Sequence, residues 1–454
     1  MTARRILQIV LVGLGTSVVP LDTAVNIAFP DITEGFGLPI EMIQWVVICY
    51  VLTYASLMLA FGRVGDIFGH GLVFRVGLLW SSTAYLLCAV APSYGWLLVC
   101  RFLQGVGASL IVSCAPALVT GLFAEEKRSR AVSVFTLIYA IGSAVGPLLG
   151  GLLVQHWGWS AVFWFRAPIA LAPLFFLHDR HASTRLAAAE PLDIVGAVLL
   201  ALGISALLLM FNQLQHPDRH ALLGTALLAT AAASLFGFMR WEQRVAEPIV
   251  DLDLFQTKGF AALNLASLLI YLTNFAVLLL GPYYLLRVAS LSVQIGGAVL
   301  AASFAGSIIA SPVAAAIIER VTAGRVAALG AMLGGMGLAL IGSWDPDAGR
   351  PMLGTLGALA LQGFGVGIFQ VAYMDIVMQT LPRRHRGVAG AIAMLSRSLG
   401  VVIGATLLTL LFHAAESFFS GDTFLASFRV TFWLAGAVSG FAGLLVLRAT
   451  AVRS

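Results

Sequence analysis

Apolar stretches of about twenty residues recur along this chain, and that recurrence limits its fold more than any other feature. A hydrocarbon layer of roughly 30 Å is crossed by about 20 helical residues. The stretches run approximately over residues 6–30, 44–61, 72–91, 95–118, 131–153 and 159–177, then 194–213 and 222–239. Six more cover approximately 260–286, 293–318, 326–344, 352–380, 388–413 and 428–447. Within lipid a helix satisfies every backbone group internally, so each stretch reads as a helix. Composition supports this reading. Only 10% of the 454 residues are charged and 60% are hydrophobic, with a mean hydropathy of +0.96. A soluble domain carries about 25% charged residues, and so sparse a set could not cover a water-facing surface. The expected class is an all-α, polytopic membrane protein with fourteen transmembrane helices, and its first partner is the lipid bilayer.

The net charge is +5, but the basic residues are scattered between apolar runs and form no clustered face of the kind nucleic acid requires. Their distribution instead gives topology. Lys and Arg accumulate in cytoplasmic loops. Arg4, Arg5, Lys127, Arg128, Arg130, Arg383, Arg384 and Arg386 fall on one side of a fourteen-span arrangement, whereas the other side carries Arg219, Arg287, Arg350 and Arg429. Both termini are therefore expected in the cytoplasm. The first apolar run is too long for a signal-peptide core and reads as a retained span. Cys49, Cys88, Cys100 and Cys114 lie inside apolar segments without paired or metal-ligand spacing and read as reduced packing residues. No P-loop, catalytic triad or metal cluster is evident in the sequence. An enzyme is not expected, no cofactor or metal is implied, and the energy source is expected to be an ion gradient.

The two ends of the chain repeat each other. An offset of 258 residues aligns Leu103, Gln104, Gly105 and Gly107 with Leu361, Gln362, Gly363 and Gly365, Arg128 with Arg386, Gly142 with Gly400, and Gly146 with Gly404. Duplicated halves are a common plan among transporters. The domains are expected to be an N-terminal six-helix bundle over 1–178, a linker with two inserted helices over 179–258, and a C-terminal six-helix bundle over 259–454. The repeat is unequal where Arg101 aligns with Leu359 and Pro147 with Ala405.

Three local patterns have a physical reading. Gly62, Asp66 and Gly69 surround a loop in which glycines allow a tight turn and the carboxylate can accept hydrogen bonds or charge from a neighbouring helix end; a gate and a simple topology-setting loop are both compatible with it. Gly142, Gly146 and Gly150 place small residues every four positions, which lets backbones approach closely, and Pro147 removes an internal hydrogen bond. Arg101, Gln104 and Gly105 put a charge and an amide one helical turn apart.

These patterns resemble motifs of the major facilitator superfamily, particularly its fourteen-helix drug:proton antiporter branch. Gly62-Arg-Val-Gly-Asp66-Ile-Phe-Gly69 is similar to the loop motif between the second and third helices. Arg101-Phe-Leu-Gln104-Gly105 is similar to the fourth-helix arginine motif, and Gly142 to Gly151 to the fifth-helix antiporter motif. Asp193 with Gly196, and Glu247 to Phe255, are weaker marks of the branch. The resemblance implies two six-helix bundles with two inserted helices, alternating access, a monomer in a bacterial inner membrane, and proton-coupled efflux of amphiphilic compounds. The sequence also departs from the pattern. His70 and Gly71 stand where basic residues are usual, leaving Arg75 and Arg130 as replacement partners. In the first helix Asp22 stands one position after the usual acidic place, which Leu21 occupies, and one residue is about 100° of helix rotation. Arg166 stands where an Asn is usual.

Ionisable residues inside a bilayer are costly, about +2.5 to +3.5 kcal/mol at a helix centre on translocon scales, and mark function by default. Asp22, Arg101 and Arg166 each lie about 10 to 12 Å below the outer ends of their helices, reckoned from the rise per residue, and could form one cluster. Asp375 and Arg397 lie nearer the cytoplasmic side and could pair. Either group could couple protons or be a static ion pair. Asn26, Gln44, Tyr50, Tyr54, Arg166, Asn264, Tyr271, Asn274, Tyr283 and Gln370 are polar candidates for a substrate cavity. Three functions follow: proton-coupled export of amphiphilic compounds, transport of a specific endogenous metabolite that the arginine excess allows to be anionic or zwitterionic, or a non-transporting receptor.

Overall fold

The computed structural model describes residues 3–121, 125–176, 193–213, 221–245, 259–345, 351–380, 386–418 and 423–451. All regular structure among them is helical. Among the described residues eleven helices are long and apolar enough to cross a membrane, and shorter apolar helices cover Ala161–Phe175 and Ile194–Leu207. Helix α7, Glu125–Trp157, supplies another thirty-three residues. The set agrees with fourteen spans. The chain divides into two compact units, Met1–Ser205 with Ala231–Ile249, and Ala206–Thr230 with Val250–Ser454.

In the first unit the opening span departs from the single helix expected over 6–30. It comprises α1, Ala3–Ser17, a 3-10 turn over Pro20–Thr23, and two short helices, α2 over Ala24–Ile27 and α3 over Phe29–Gly35. Pro20 lacks an N–H and cannot continue the hydrogen-bond ladder of α1. Helix α4, Gln44–Phe68, runs beyond the expected end at 61 because its backbone ladder is indifferent to Arg63 and Asp66. It stops at Gly69, whose φ of 92° is open to glycine, and α5 begins at once over His70–Ala89. Helix α6 covers Tyr94–Gly121. The sixth span is also broken where one helix was expected, into α8, Ala161–Trp164, and α9, Arg166–Phe176. The interior is apolar, built around Phe74, Leu78, Tyr85, Ile111 and Cys114. On α5, Leu72, Val76, Leu79 and Leu86, continued by Val90 just after its end, form an exposed apolar stripe at helical spacing. Such a stripe suits lipid and not water.

The inserted helices are α10, Ile194–Gln213, and α11, Ala221–Glu242. The start of α10 and the end of α11 are joined by Asp193, which accepts from the Gly196 nitrogen at 2.8 Å and from Trp241 Nε1 at 2.6 Å. The start of the expected linker, residues 179–192, and the whole Glu247–Phe255 mark lie outside the described residues.

The second unit contains α12, Phe260–Tyr283, α13, Val293–Ile318, α14, Ala323–Gly342, α15, Pro351–Thr380, α16, Arg386–Phe418, and α17, Thr423–Ala451. Pro282 loosens the end of α12, which continues as a π-turn over Tyr284–Val288. The repeat appears at the level of packing. A methyl group on Gly105 of α6 would lie 2.7 Å from the Tyr50 carbonyl of α4, and one on Gly363 of α15 would lie 1.7 Å from the Ser303 carbonyl of α13. Only hydrogen fits at either crossing. The glycine-rich segment around Gly363 is therefore a helix-packing surface. The four cysteines are free thiols, three of them buried.

Candidate functional site

The break in the first span puts Asp22 on the 3-10 turn, where its carboxylate faces α6 and α9. Arg101 of α6 grips it with both arms of the guanidinium, Nη1 to Oδ1 at 2.7 Å and Nη2 to Oδ2 at 2.8 Å. Arg166, the first residue of α9, donates Nη1 to the same Oδ1 at 2.6 Å. Gln104, one turn below Arg101, donates Nε2 to Oδ1 at 2.9 Å while its own Oε1 accepts from Arg101 Nη1 at 2.7 Å. The three residues read from sequence as a possible cluster are thus brought together, with Gln104 as a fourth member.

Each arginine is also fixed along its stem. Arg101 Nε donates to the Val46 carbonyl at 2.7 Å, and Arg166 Nε to the Val162 carbonyl at 2.9 Å. Aromatic faces close the sides. The Arg101 guanidinium lies 4.4 Å from the Tyr50 ring centre, the Arg166 guanidinium 4.5 Å from that of Tyr85, and Phe163 flanks both at 5.8 and 5.5 Å. The side chains of Arg101 and Arg166 are 1% and 0% exposed, and that of Asp22 is 15% exposed. Two guanidinium groups share one carboxylate, which leaves one positive charge in excess. Arg166 Nη2 is buried and has no hydrogen-bond partner. Such a donor costs about 1–3 kcal/mol, and more when charged.

The glycines of α7 hold the broken turn in place. A methyl on Gly146 would lie 2.0 Å from Thr23 Oγ1, and one on Gly150 would lie 2.7 Å from the Ala24 carbonyl. Gly142 faces Pro20 and Ser17 in the same way. Thr23 Oγ1 donates across this contact to the Ser143 carbonyl at 3.0 Å. The motif that includes Pro147 within α7 is thus a bed for the turn that carries Asp22.

Other candidates fall into place differently. Asn26 is buried and donates to the Thr23 carbonyl at 3.2 Å, bracing the turn. Tyr50 and Tyr54 stack with ring centres 6.2 Å apart. Gln44 is 1% exposed with both amide atoms unpartnered. In the second unit Gln362, the repeat of Gln104, donates to Asn274 of α12 and accepts from Ser303 at 2.6 Å. Both halves therefore use the same glutamine to clasp their first helix, one through a carboxylate and the other through an amide. Asn264 accepts from Tyr373 at 2.9 Å and Ser396 at 3.0 Å. Arg397 lies over the Tyr271 ring at 5.0 Å, and Tyr283 is buried beneath Arg287. Asp375 and Gln370 are half-buried on α15. Gly62 packs against Ser113, whereas the side chains of Asp66 and Arg130 lie outside the described residues. Tyr85, Phe163, Ser303, Tyr373 and Ser396 were not singled out from sequence. An aromatic or a serine in an apolar helix is too common to stand out.

Comparison with known proteins places this arrangement. A sequence model described as Major Facilitator Superfamily matches residues 7–246 and 263–453. The chain is 27% identical to the multidrug resistance protein Stp of Mycobacterium tuberculosis, over 90% of this chain and 76% of that one. It is 29% identical to the puromycin resistance protein pur8 of Streptomyces alboniger, over 92% and 84%. It is 25% identical to the riboflavin transporter RibZ of Clostridioides difficile, over 96% of both. Among solved structures, an inward-facing bacterial homologue of the lysosomal transporter Spinster superposes with a TM-score of 0.70 at 14% identity, covering 99% of this chain and 98% of that one. Fold, repeat and sequence match agree that the chain is a membrane transporter, not an enzyme, and belongs to the Major Facilitator Superfamily.

Proposed function

We propose that this transporter exports amphiphilic, drug-like compounds across a bacterial inner membrane in exchange for protons, as a monomer with both termini in the cytoplasm and without a cofactor. The observation that carries this reading is the Asp22 carboxylate, held by Arg101, Arg166 and Gln104 on a broken turn that rests against α7. Protonation removes the charge and takes away part of the accepting capacity on which those bonds depend. Hydrogen bonds to charged groups are worth about 1.5–3 kcal/mol each, so a proton arriving at Asp22 changes the balance between conformations by orders of magnitude. A ligand drives a conformational equilibrium only through such differential affinity. The resistance proteins among the relatives support efflux of foreign compounds.

A second reading, transport of a specific endogenous metabolite, is favoured by the relative named as a riboflavin transporter. The test uses proteoliposomes with an imposed pH gradient and no ATP. Uphill accumulation of a drug-like substrate should follow the gradient, and Asp22→Asn should retain binding and exchange but abolish accumulation. Normal accumulation by Asp22→Asn would remove Asp22 from the coupling role and pass it to Asp375.

A further inference from the structure

We infer that Arg166 is an oxyanion seat, and that the substrates of this transporter include amphiphilic weak acids whose carboxylate or enolate binds its free arm. The inference rests on the export reading above for the identity of the site, and on three further observations for its chemistry.

The first is charge. Asp22 is the one carboxylate within ion-pair distance of either guanidinium among the described residues, so the cluster remains one negative charge short. The second is hydrogen bonding. An arginine has five N–H donors; Arg166 uses Nε on Val162 and one Nη1 hydrogen on Asp22, while Nη2 is buried without a partner. Asp22 cannot meet this demand. Its Oδ1 already accepts from Arg101, Arg166 and Gln104, and its Oδ2 from Arg101. The third is shape. Tyr85 and Phe163 present ring faces to the Arg166 guanidinium. They moderate its charge through their π-systems but give it no acceptor. An acid carrying a flat apolar body matches this combination of aromatic wall and unsatisfied cationic donor, and a cation is repelled by the excess charge. Both arginines are fully buried and Asp22 is 15% exposed, so the seat is closed in this conformation and an acid reaches it only when the helices around the cluster part.

The test is equilibrium binding to the full chain in phosphatidylcholine nanodiscs, which present no anionic headgroup, with empty discs as the blank. The probes are radiolabelled 1-naphthaleneacetate, its neutral amide, and the cation 1-naphthylmethylamine. The acid should bind at least tenfold more tightly than the amide, and the cation more weakly than either. Arg166→Gln should erase the preference, bringing the acid to the affinity of the amide, and a tryptophan emission spectrum and elution volume matching those of the parent establish separately that the variant is folded. Arg166→Lys, which keeps the charge but loses the planar fork, should retain part of the preference. Equal affinity for acid and amide, no binding of the acid, or an undiminished preference in Arg166→Gln overturns the proposal. Failure of the export reading shows separately. Acid preference without gradient-driven flux removes proton exchange and keeps the seat, whereas gradient-driven flux of cations without acid preference removes the seat and keeps proton exchange.

Discussion

Gly146→Ala tests whether α7 is the bed of the broken first span. The added methyl would stand 2.0 Å from Thr23 Oγ1 and 3.1 Å from the Ala24 nitrogen. Non-bonded heavy atoms rest about 3.5–4.0 Å apart, so the overlap with the hydroxyl is roughly 1.5 Å. If α7 withdraws, the packing cost is about 1–3 kcal/mol. If Thr23 turns away instead, its single hydroxyl hydrogen, shared between the Pro20 and Ser143 carbonyls at 3.0 Å each, loses both acceptors, at about 1 kcal/mol in all. Either route depends on the hydroxyl. In a Thr23→Ala background the severe overlap is gone and only contacts slightly above 3 Å remain, so Gly146→Ala should cost about 1–2 kcal/mol less there, within the range seen for coupled neighbours. Denaturant unfolding in mixed micelles, followed by tryptophan emission, measures the four corners of this cycle. Proteoliposome flux should fall with Gly146→Ala and recover in part in the double variant. An equal cost in both backgrounds, or no cost in the parent, would refute the contact and with it the role given to α7.

Two other substitutions probe the same region. Arg101→Ala removes both arms of the grip on Asp22 and one bond from Gln104, and should destabilise the protein by about 3–5 kcal/mol as a broken buried pair does; the unfolding midpoint checks this, and a loss below 1 kcal/mol would mean that Arg166 alone satisfies the carboxylate. Pro147→Ala restores an internal hydrogen bond to α7 and should slow transport severalfold with little change in substrate affinity, measured by paired flux and binding; parallel loss of both would indicate misfolding.

Much of this architecture was legible in the sequence because lipid imposes simple rules. Length and apolarity located the spans, and the asymmetry of Lys and Arg gave an expected orientation. The breaks at Pro20–Thr23 and at Phe165 escaped a reading by length and apolarity, which are the same whether a helix is continuous or interrupted; Pro20 was the one local sign of the first break. That blindness affects Asp22 directly. On a continuous helix, one position of displacement turns a side chain by about 100°. The 3-10 turn that carries Asp22 resets the rotation of the span, and the carboxylate meets Arg101 and Arg166. The depth of the three charges could be reckoned from residue counts, which is why their meeting could be anticipated. The clasp of Gln362 on Asn274 and Ser303 could not, because the repeat aligned the glutamines but gave no sign of their partners.

The Asp22 cluster also sets an order on biogenesis. Asp22 precedes Arg101 by 79 residues and Arg166 by 144 in the chain. At the usual elongation rate of about 5–20 residues per second, roughly 4–16 s pass before the first partner is made and roughly 7–29 s before the second. Throughout that interval the opening span carries a carboxylate with no counter-charge, at a cost of about 2.5–3.5 kcal/mol if it enters the hydrocarbon centre. That cost disfavours full insertion of the opening span until the fourth span, which carries Arg101, emerges. Pairing with Arg101 removes the cost, so the stable placement of the first span is tied to that of the fourth.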